Sequence, residues 1–240
     1  MLNRFRSDED RSARRLARIA RWDRPLGGRL ASARAWLNML FVDHGIFRVL
    51  YLNLHRISPR MWRAAQPAPY QLQALAKAGI RTVINLRGGR DHGSWPLEKQ
   101  ACEQAGLTLV DFTAFSRAAP PREMLLVAPA FFAGIAYPAV MHCKSGADRA
   151  GFAAALYLLV HEQAPLDEAI RQLHWRYGHF RWSKTGILDA FFEAYRREGL
   201  EKGLPFLRWV EEVYDPERLM REFRTGFWSS LLVDRVLRRE

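Results

Sequence analysis

The chain has 240 residues, 49% of them hydrophobic, and 37 Lys and Arg against 25 Asp and Glu give it a net charge of +12. That length supports one core of ordinary size with extensions. Two cysteines exclude a disulfide framework, the seven histidines show no metal-ligand spacing, and the excess positive charge points to an anionic partner.

Residues 1–34 hold ten arginines against four acids, and no apolar run follows closely enough to make a standard secretory leader. The next stretch, Ala35 to Leu54, is apolar and aromatic but is interrupted by Asn38, Asp43, His44, Gly45 and Arg48. Charge at mid-bilayer is expensive, so the stretch is expected to be an amphipathic segment lying on a membrane or on the rest of the protein, not a transmembrane span.

Strand patterns follow near Arg60 to Arg63, Arg81 to Leu86, Thr108 to Phe112 and Ala139 to Cys143. Helical patterns occupy Pro69 to Ala78, Pro96 to Ala105, Pro121 to Gly134, Arg149 to His161, Leu166 to Tyr177 and Thr185 to Arg197, several opened by a proline that suits a first turn. The alternation predicts an α/β fold: a central, mainly parallel sheet of four to five strands flanked by helices. Three regions are expected: a basic, amphipathic extension over 1–57, a central α/β domain over 58–200, and a helical extension over 201–240. The last contains Phe223, Phe227, Trp228, Leu231, Leu232, Val236 and Leu237 among arginines.

The most informative run is His142 Cys143 Lys144 Ser145 Gly146 Ala147 Asp148 Arg149 Ala150 Gly151, of the form H-C-x-x-G-x-x-R-x-G. It joins an apolar strand to an apolar helix. Amides of a tight loop and the positive end of the following helix suit a bound phosphate there. Cations and helix N-termini favour a cysteine's thiolate, its nucleophilic form, and Cys143 is expected to have both influences. Arg149, six residues later, can bind two phosphoryl oxygens through its planar fork. Gly146 lets the loop turn inward. His142 is expected to hydrogen-bond the backbone around Cys143 and fix the loop, without a part in proton transfer, and Cys102, in a helical stretch, reads as an inert buried thiol.

This run resembles the signature of the cysteine-dependent phosphatases of the protein tyrosine and dual-specificity type. Upstream, Arg63, Gln66 and Pro67, followed by Gly79 Ile80 Arg81 Thr82 Val83 Ile84 Asn85 Leu86 Arg87, are similar to the R-x-x-Q-P … G-I-x-x-V-I-N-L-R opening of bacterial and fungal members, so the likeness covers about residues 58 to 200. The resemblance implies Cys143 as nucleophile, Arg149 as phosphate binder, and Lys144, Ser145, Gly146, Ala147, Asp148 and Arg149 as the cradle; from the scattered histidines no metal is expected, and no other cofactor.

Two positions depart from the family pattern. The Ser or Thr that often follows the arginine, and helps the thiolate leave, is here Ala150; Ser145 is a partial substitute. No carboxylate lies between Ala114 and Arg122, where the family's general acid usually sits. Asp148, inside the cradle, and Asp111, within a strand and not on the loop that follows it, are the two candidates, with Asp148 preferred on geometry. For Lys144, family members that act on inositol phosphates or lipid headgroups often carry lysine there; a solvated charge is the alternative. Thr185, after Lys184, is expected to cap a helix or to touch the site from outside.

The expected function is phosphomonoester hydrolysis through a phosphocysteine, on a phosphoprotein or a phosphorylated lipid, in the cytoplasm at the inner face of a bacterial membrane. A phosphate-binding module without turnover and an RNA 5′-phosphatase are the alternatives, nucleic acid being the weaker partner.

Overall fold

The computed structural model describes residues 2–225. Its contacts divide the chain into two compact units, Met1–Thr113 with Ala136–Gly146, and Ala114–Ile135 with Ala147–Glu240. The chain passes from the first to the second within the run 142–149.

The first unit holds a five-stranded sheet: β1 (His55–Ser58), β2 (Met61–Ala65), β3 (Thr82–Asn85), β4 (Thr108–Asp111) and β5 (Ala139–Cys143). Their order is β1-β2-β5-β3-β4, with β1 and β2 antiparallel and the other pairs parallel. Every residue of β3 and β5 is buried, as expected of central strands in a parallel sheet. The expectation of a mainly parallel sheet holds. β1, too short and polar to be read from pattern, is an addition.

One face of this sheet is covered by α4 (Pro69–Lys77) and α5 (Ser94–Ala105). Leu72 and Leu75 of the first and Ala101 and Cys102 of the second pack on Ala64, Val83 and Val140. Pro69 sits at the start of α4, where its missing N–H costs nothing. α5 stops at Gly106, whose φ of 69° belongs to the left-handed region.

Upstream lie α1 (Leu2–Trp22), α2 (Arg29–Leu37), a π-helical turn (Asn38–Val42) and α3 (Ile46–Leu50). Trp22, Ala35 and Met39 pack on Leu97 of α5, joined by Leu26, Trp36, Leu40 and Val49. The Asn38 side chain accepts the Gly93 amide at 2.7 Å, and Asp23 accepts the Trp95 indole N–H at 2.9 Å. The stretch read as one amphipathic segment is therefore broken into short turns. Its other side leaves Leu37, Phe41, Val42, Phe47 and Leu50 exposed. Among the described residues no helix is long and apolar enough to cross a membrane.

The second unit contains α6 (Arg122–Gly134), α7 (Asp148–Val160), α8 (Leu166–Ala169), α9 (Ile187–Glu198), α10 (Phe206–Glu212) and a helix over residues 216–225. Phe152, Phe191, Phe206, Trp209 and Tyr214 form its aromatic core, mostly edge to face or tilted. The Tyr214 hydroxyl donates to the Pro120 carbonyl at 2.8 Å. Of the C-terminal apolar residues singled out above, Phe227, Trp228, Leu231, Leu232, Val236 and Leu237 lie outside the described residues.

The helix expected over Leu166 to Tyr177 is corrected. After α8 the backbone tightens into a 3-10 turn (Ile170–Gln172) and then leaves helical geometry, with His174 extended at φ −143°, ψ 148°. The His174 Nδ1 accepts the Arg176 amide at 3.2 Å and starts a new 3-10 turn (Trp175–Tyr177), which Gly178 ends at φ 85°. A side chain that caps locally competes with the helix, and apolar spacing alone does not register that competition.

Candidate active site

Cys143 is the last residue of β5, at the carboxyl end of the parallel strands, paired in register with Ala65 of β2. It is a free, buried thiol. The bend that follows is fixed by two side chains of the same unit. Asn53 Nδ2 donates to the Ser145 carbonyl at 3.0 Å, and the fully buried Arg63 donates to the Gly146 carbonyl at 2.7 Å. Both of these carbonyls are thus tied back by side chains of the sheet unit. Gly146 has φ 74°, and a Cβ there would lie 2.6 Å from the Ala65 amide nitrogen. Only glycine fits this position.

Behind Cys143 runs a chain of buried polar groups. His142 Nε2 lies 2.6 Å from Glu98 Oε1 of α5, both out of contact with water, so the contact is to a carboxylate and not to loop backbone. Gln66 Nε2 donates to the other Glu98 oxygen at 2.8 Å, and its carbonyl accepts from Arg87. Arg87 in turn grips Asp43 with both terminal nitrogens, at 2.7 and 2.8 Å. Burial disfavours the Arg87 cation, but Asp43, Glu98 and a thiolate at Cys143 together raise its pKa. Asp43 also accepts from Arg48 and Ser94, each at 2.9 Å, and its Oδ1 lies 3.3 Å from Lys144 Nζ. Burial pushes the Asp43 carboxyl up, yet the arginines and Ser94 win and hold it far below the usual carboxylate range.

In the second unit, Asp148 and Arg149 open α7. The buried His179 ring is held between two carboxylates, Nδ1 at 2.8 Å from Asp148 and Nε2 at 2.7 Å from Asp189. Burial works against a charged ring, but these two bonds and the charges behind them outweigh it and raise the His179 pKa to about 9. His179 and Asp189 line a cavity of about 220 Å³ with Arg181, Phe192 and the exposed Trp175 and Trp182. Among the described residues no group of three or more His, Cys, Asp or Glu is placed to hold a metal.

Residues 59–182 match the family model described as "Swiss Army Knife protein, DSP-PTPase phosphatase domain". The chain belongs to this family. Two strains of Pseudomonas aeruginosa have curated relatives, each named dual specificity protein phosphatase TpbA. They are 30% identical over 125 residues and 29% over 122, covering 50% and 49% of this chain and 54% and 53% of those proteins. The chain thus spans about half the length of the curated relatives it matches. Among solved structures, P. aeruginosa TpbA superposes with a TM-score of 0.49 at 21% identity, over 60% of this chain and 84% of that one. Human DUSP28 gives 0.41 at 19%, over 60% and 95%.

Against this family background, the structure assigns contacts to residues that the sequence marked only by resemblance. Arg63, Gln66 and Arg87, quoted above for the family's opening, are the polar frame beneath the bend. Asp43, Arg48, His179 and Asp189 were missed. For the first two a signal existed: charges inside an apolar stretch that cannot enter a bilayer must find partners. Asp111 ends β4, where Asn85 donates to it at 3.0 Å and Arg90 at 3.2 Å. Its register through Asn85 to His142 crosses two strand spacings, roughly 10 Å. Thr185 is not the cap. The Ser183 hydroxyl accepts the Thr185 amide at 3.1 Å, and Ala150 is fully buried. Cys102 lies in the core, where burial pushes its thiol up, as expected of an inert cysteine.

Proposed function

We propose that the chain is a cysteine-dependent phosphatase for phosphomonoesters on proteins or lipids. Cys143 Sγ attacks phosphorus, the bond to the ester oxygen breaks, and water then splits the phosphocysteine to release phosphate and regenerate the thiolate. Arg149 binds the equatorial oxygens and the amides from Lys144 to Arg149 complete the cradle. The leaving oxygen takes its proton through Asp148: the His179 imidazolium, 2.8 Å away and charged up to about pH 9, gives its proton to the carboxylate, which passes it on, and His179 is recharged from solvent. Asp111, two strands from β5, is the less favoured candidate for this role.

The observation that carries this reading is the bend after Cys143, whose carbonyls are tied back by Asn53 and Arg63 and whose Gly146 admits no side chain. Cys143→Ser should abolish turnover of p-nitrophenyl phosphate while retaining tungstate binding, and Arg149→Lys should lose most activity. Wild-type turnover in either variant would overturn the assignment. Binding without turnover by the unmodified chain would favour the phosphate-binding module, and preferential turnover of RNA 5′-phosphates the RNA reading.

We place the protein at the cytoplasmic face of an anionic membrane, on the support of the exposed Leu37, Phe41, Val42, Phe47 and Leu50 beside the arginine-rich 1–34. Basic residues and an inserted apolar face are the two signals that stable surface attachment needs. The full chain should sediment with acidic vesicles and less so as salt rises. Failure to bind them at low salt would remove this placement.

A further inference from the structure

The family model begins at residue 59, yet the carboxylate that meets the residue after Cys143 lies upstream of it. Asp43 is fully buried, and its two oxygens do different things. Oδ2 accepts from Arg48 Nη2, Arg87 Nη1 and Ser94 Oγ, between 2.7 and 2.9 Å. Arg48 Nη1 adds a bond to the Asp43 carbonyl at 3.0 Å. These donors fix the carboxylate from three sides. Oδ1 is shared between Arg87 Nη2 and Lys144 Nζ. The Lys144 side chain is 39% exposed while that of its partner is 0% exposed, so a cation that solvent reaches is tethered to a sealed anion.

Building a carboxylate into a protein interior incurs a desolvation cost that an apolar residue of similar size would avoid. What this one provides in return is position. A lysine ammonium has three donors on a flexible stem; Asp43 engages one, which leaves the others for an anionic substituent of a substrate bound at Cys143. We propose that Asp43 is a positioning residue for the phosphatase reaction, holding the Lys144 ammonium at the rim of the cradle so that substrates with a second negative group bind already-ordered charge. This inference rests on the reading of Cys143 as the nucleophile.

The test is steady-state kinetics of the full chain on p-nitrophenyl phosphate and on a myo-inositol bisphosphate, with thermal unfolding measured on every variant. Asp43→Asn should raise KM for the bisphosphate about tenfold, the scale of ordering one lysine side chain. Its KM for the aryl phosphate should rise less than about threefold, and kcat on either should stay within about twofold. In a Lys144→Met background, Asp43→Asn should add nothing, since the group it positions is gone. A merely structural role would instead lower kcat on both substrates together and persist in that background. Should Asp43→Asn alone fail to fold, Asp43→Asn with Arg48→Gln removes an anion and a cation together and should show the same split. A folded variant with unchanged KM ratio, additive effects with Lys144→Met, or failure of both variants to fold would each overturn the inference. If the unmodified chain turns over neither ester, or Cys143→Ser still does, the phosphatase reading fails first and the inference with it.

Discussion

The two units solve opposite electrostatic problems. Around Asp43, one buried anion gathers Arg48, Arg87 and Lys144; around His179, one buried cation is held by two carboxylates whose side chains keep 26% and 20% of their exposure. An anion surrounded by guanidinium groups keeps its charge throughout the physiological range, since arginine does not release its proton there. An imidazolium between carboxylates gives up its proton on the alkaline side. The first arrangement suits holding side chains in place, the second suits handling a proton.

The sharpest way to break that contrast is to ask which unit supplies the proton. Asp148→Asn should slow phenyl phosphate, a poor leaving group, by a hundredfold or more, the usual scale of general acid catalysis, and change good leaving groups little. Asp111→Asn should leave both alone. If Asp111→Asn shows the leaving-group pattern and Asp148→Asn does not, proton handling moves to the first unit.

The next largest effect is on stability. Asp43→Ala leaves two buried arginines short of their carboxylate and should cost about 3–5 kcal/mol in urea unfolding. His179→Ala frees carboxylates that water can still reach and should cost about 1–2 kcal/mol. Equal losses would erase the distinction between a sealed and a vented cluster.

pH separates the two by sign. The His179 pKa is raised, so its contribution is fully present below about pH 6.5 and is lost as pH rises through about 9. The Asp43 pKa is depressed, so its contribution is present above about pH 4 and is lost only as pH falls below that. Stability should decline by on the order of 2 kcal/mol between pH 6.5 and 9.5, and His179→Gln should flatten that limb while leaving the acid limb unchanged. The smallest expected effect concerns Ala150. Rapid mixing with an aryl phosphate should show a burst of phenol near one per site, and Ala150→Ser should raise the steady rate a fewfold and shrink the burst.

What could be read from the sequence was what is local. The strand ending at Cys143, the bend at Gly146 and the apolar helix after Arg149 each declare themselves within a dozen residues, through periodicity and a glycine that a side chain cannot replace. The partners of Asp43 are at 48, 87, 94 and 144, and nothing near position 43 points to them; in sequence it was only an interruption in an apolar stretch. His179 is likewise a lone histidine until Asp148 and Asp189 are brought to its two nitrogens. The broken helix at His174 failed for the reverse reason, because a local cap overrode a helical pattern that was present.

The cluster at Asp43 also bears on how such a domain is transplanted. A fragment cut at residue 59, where the family match begins, would leave behind Asp43 and Arg48 and the Trp22, Ala35 and Met39 side chains that cover Leu97. It would arrive in its new setting with Arg87 and Lys144 stripped of their carboxylate and an apolar helix face open to water. A graft that begins upstream of Trp22 brings its own counterion and its own cover.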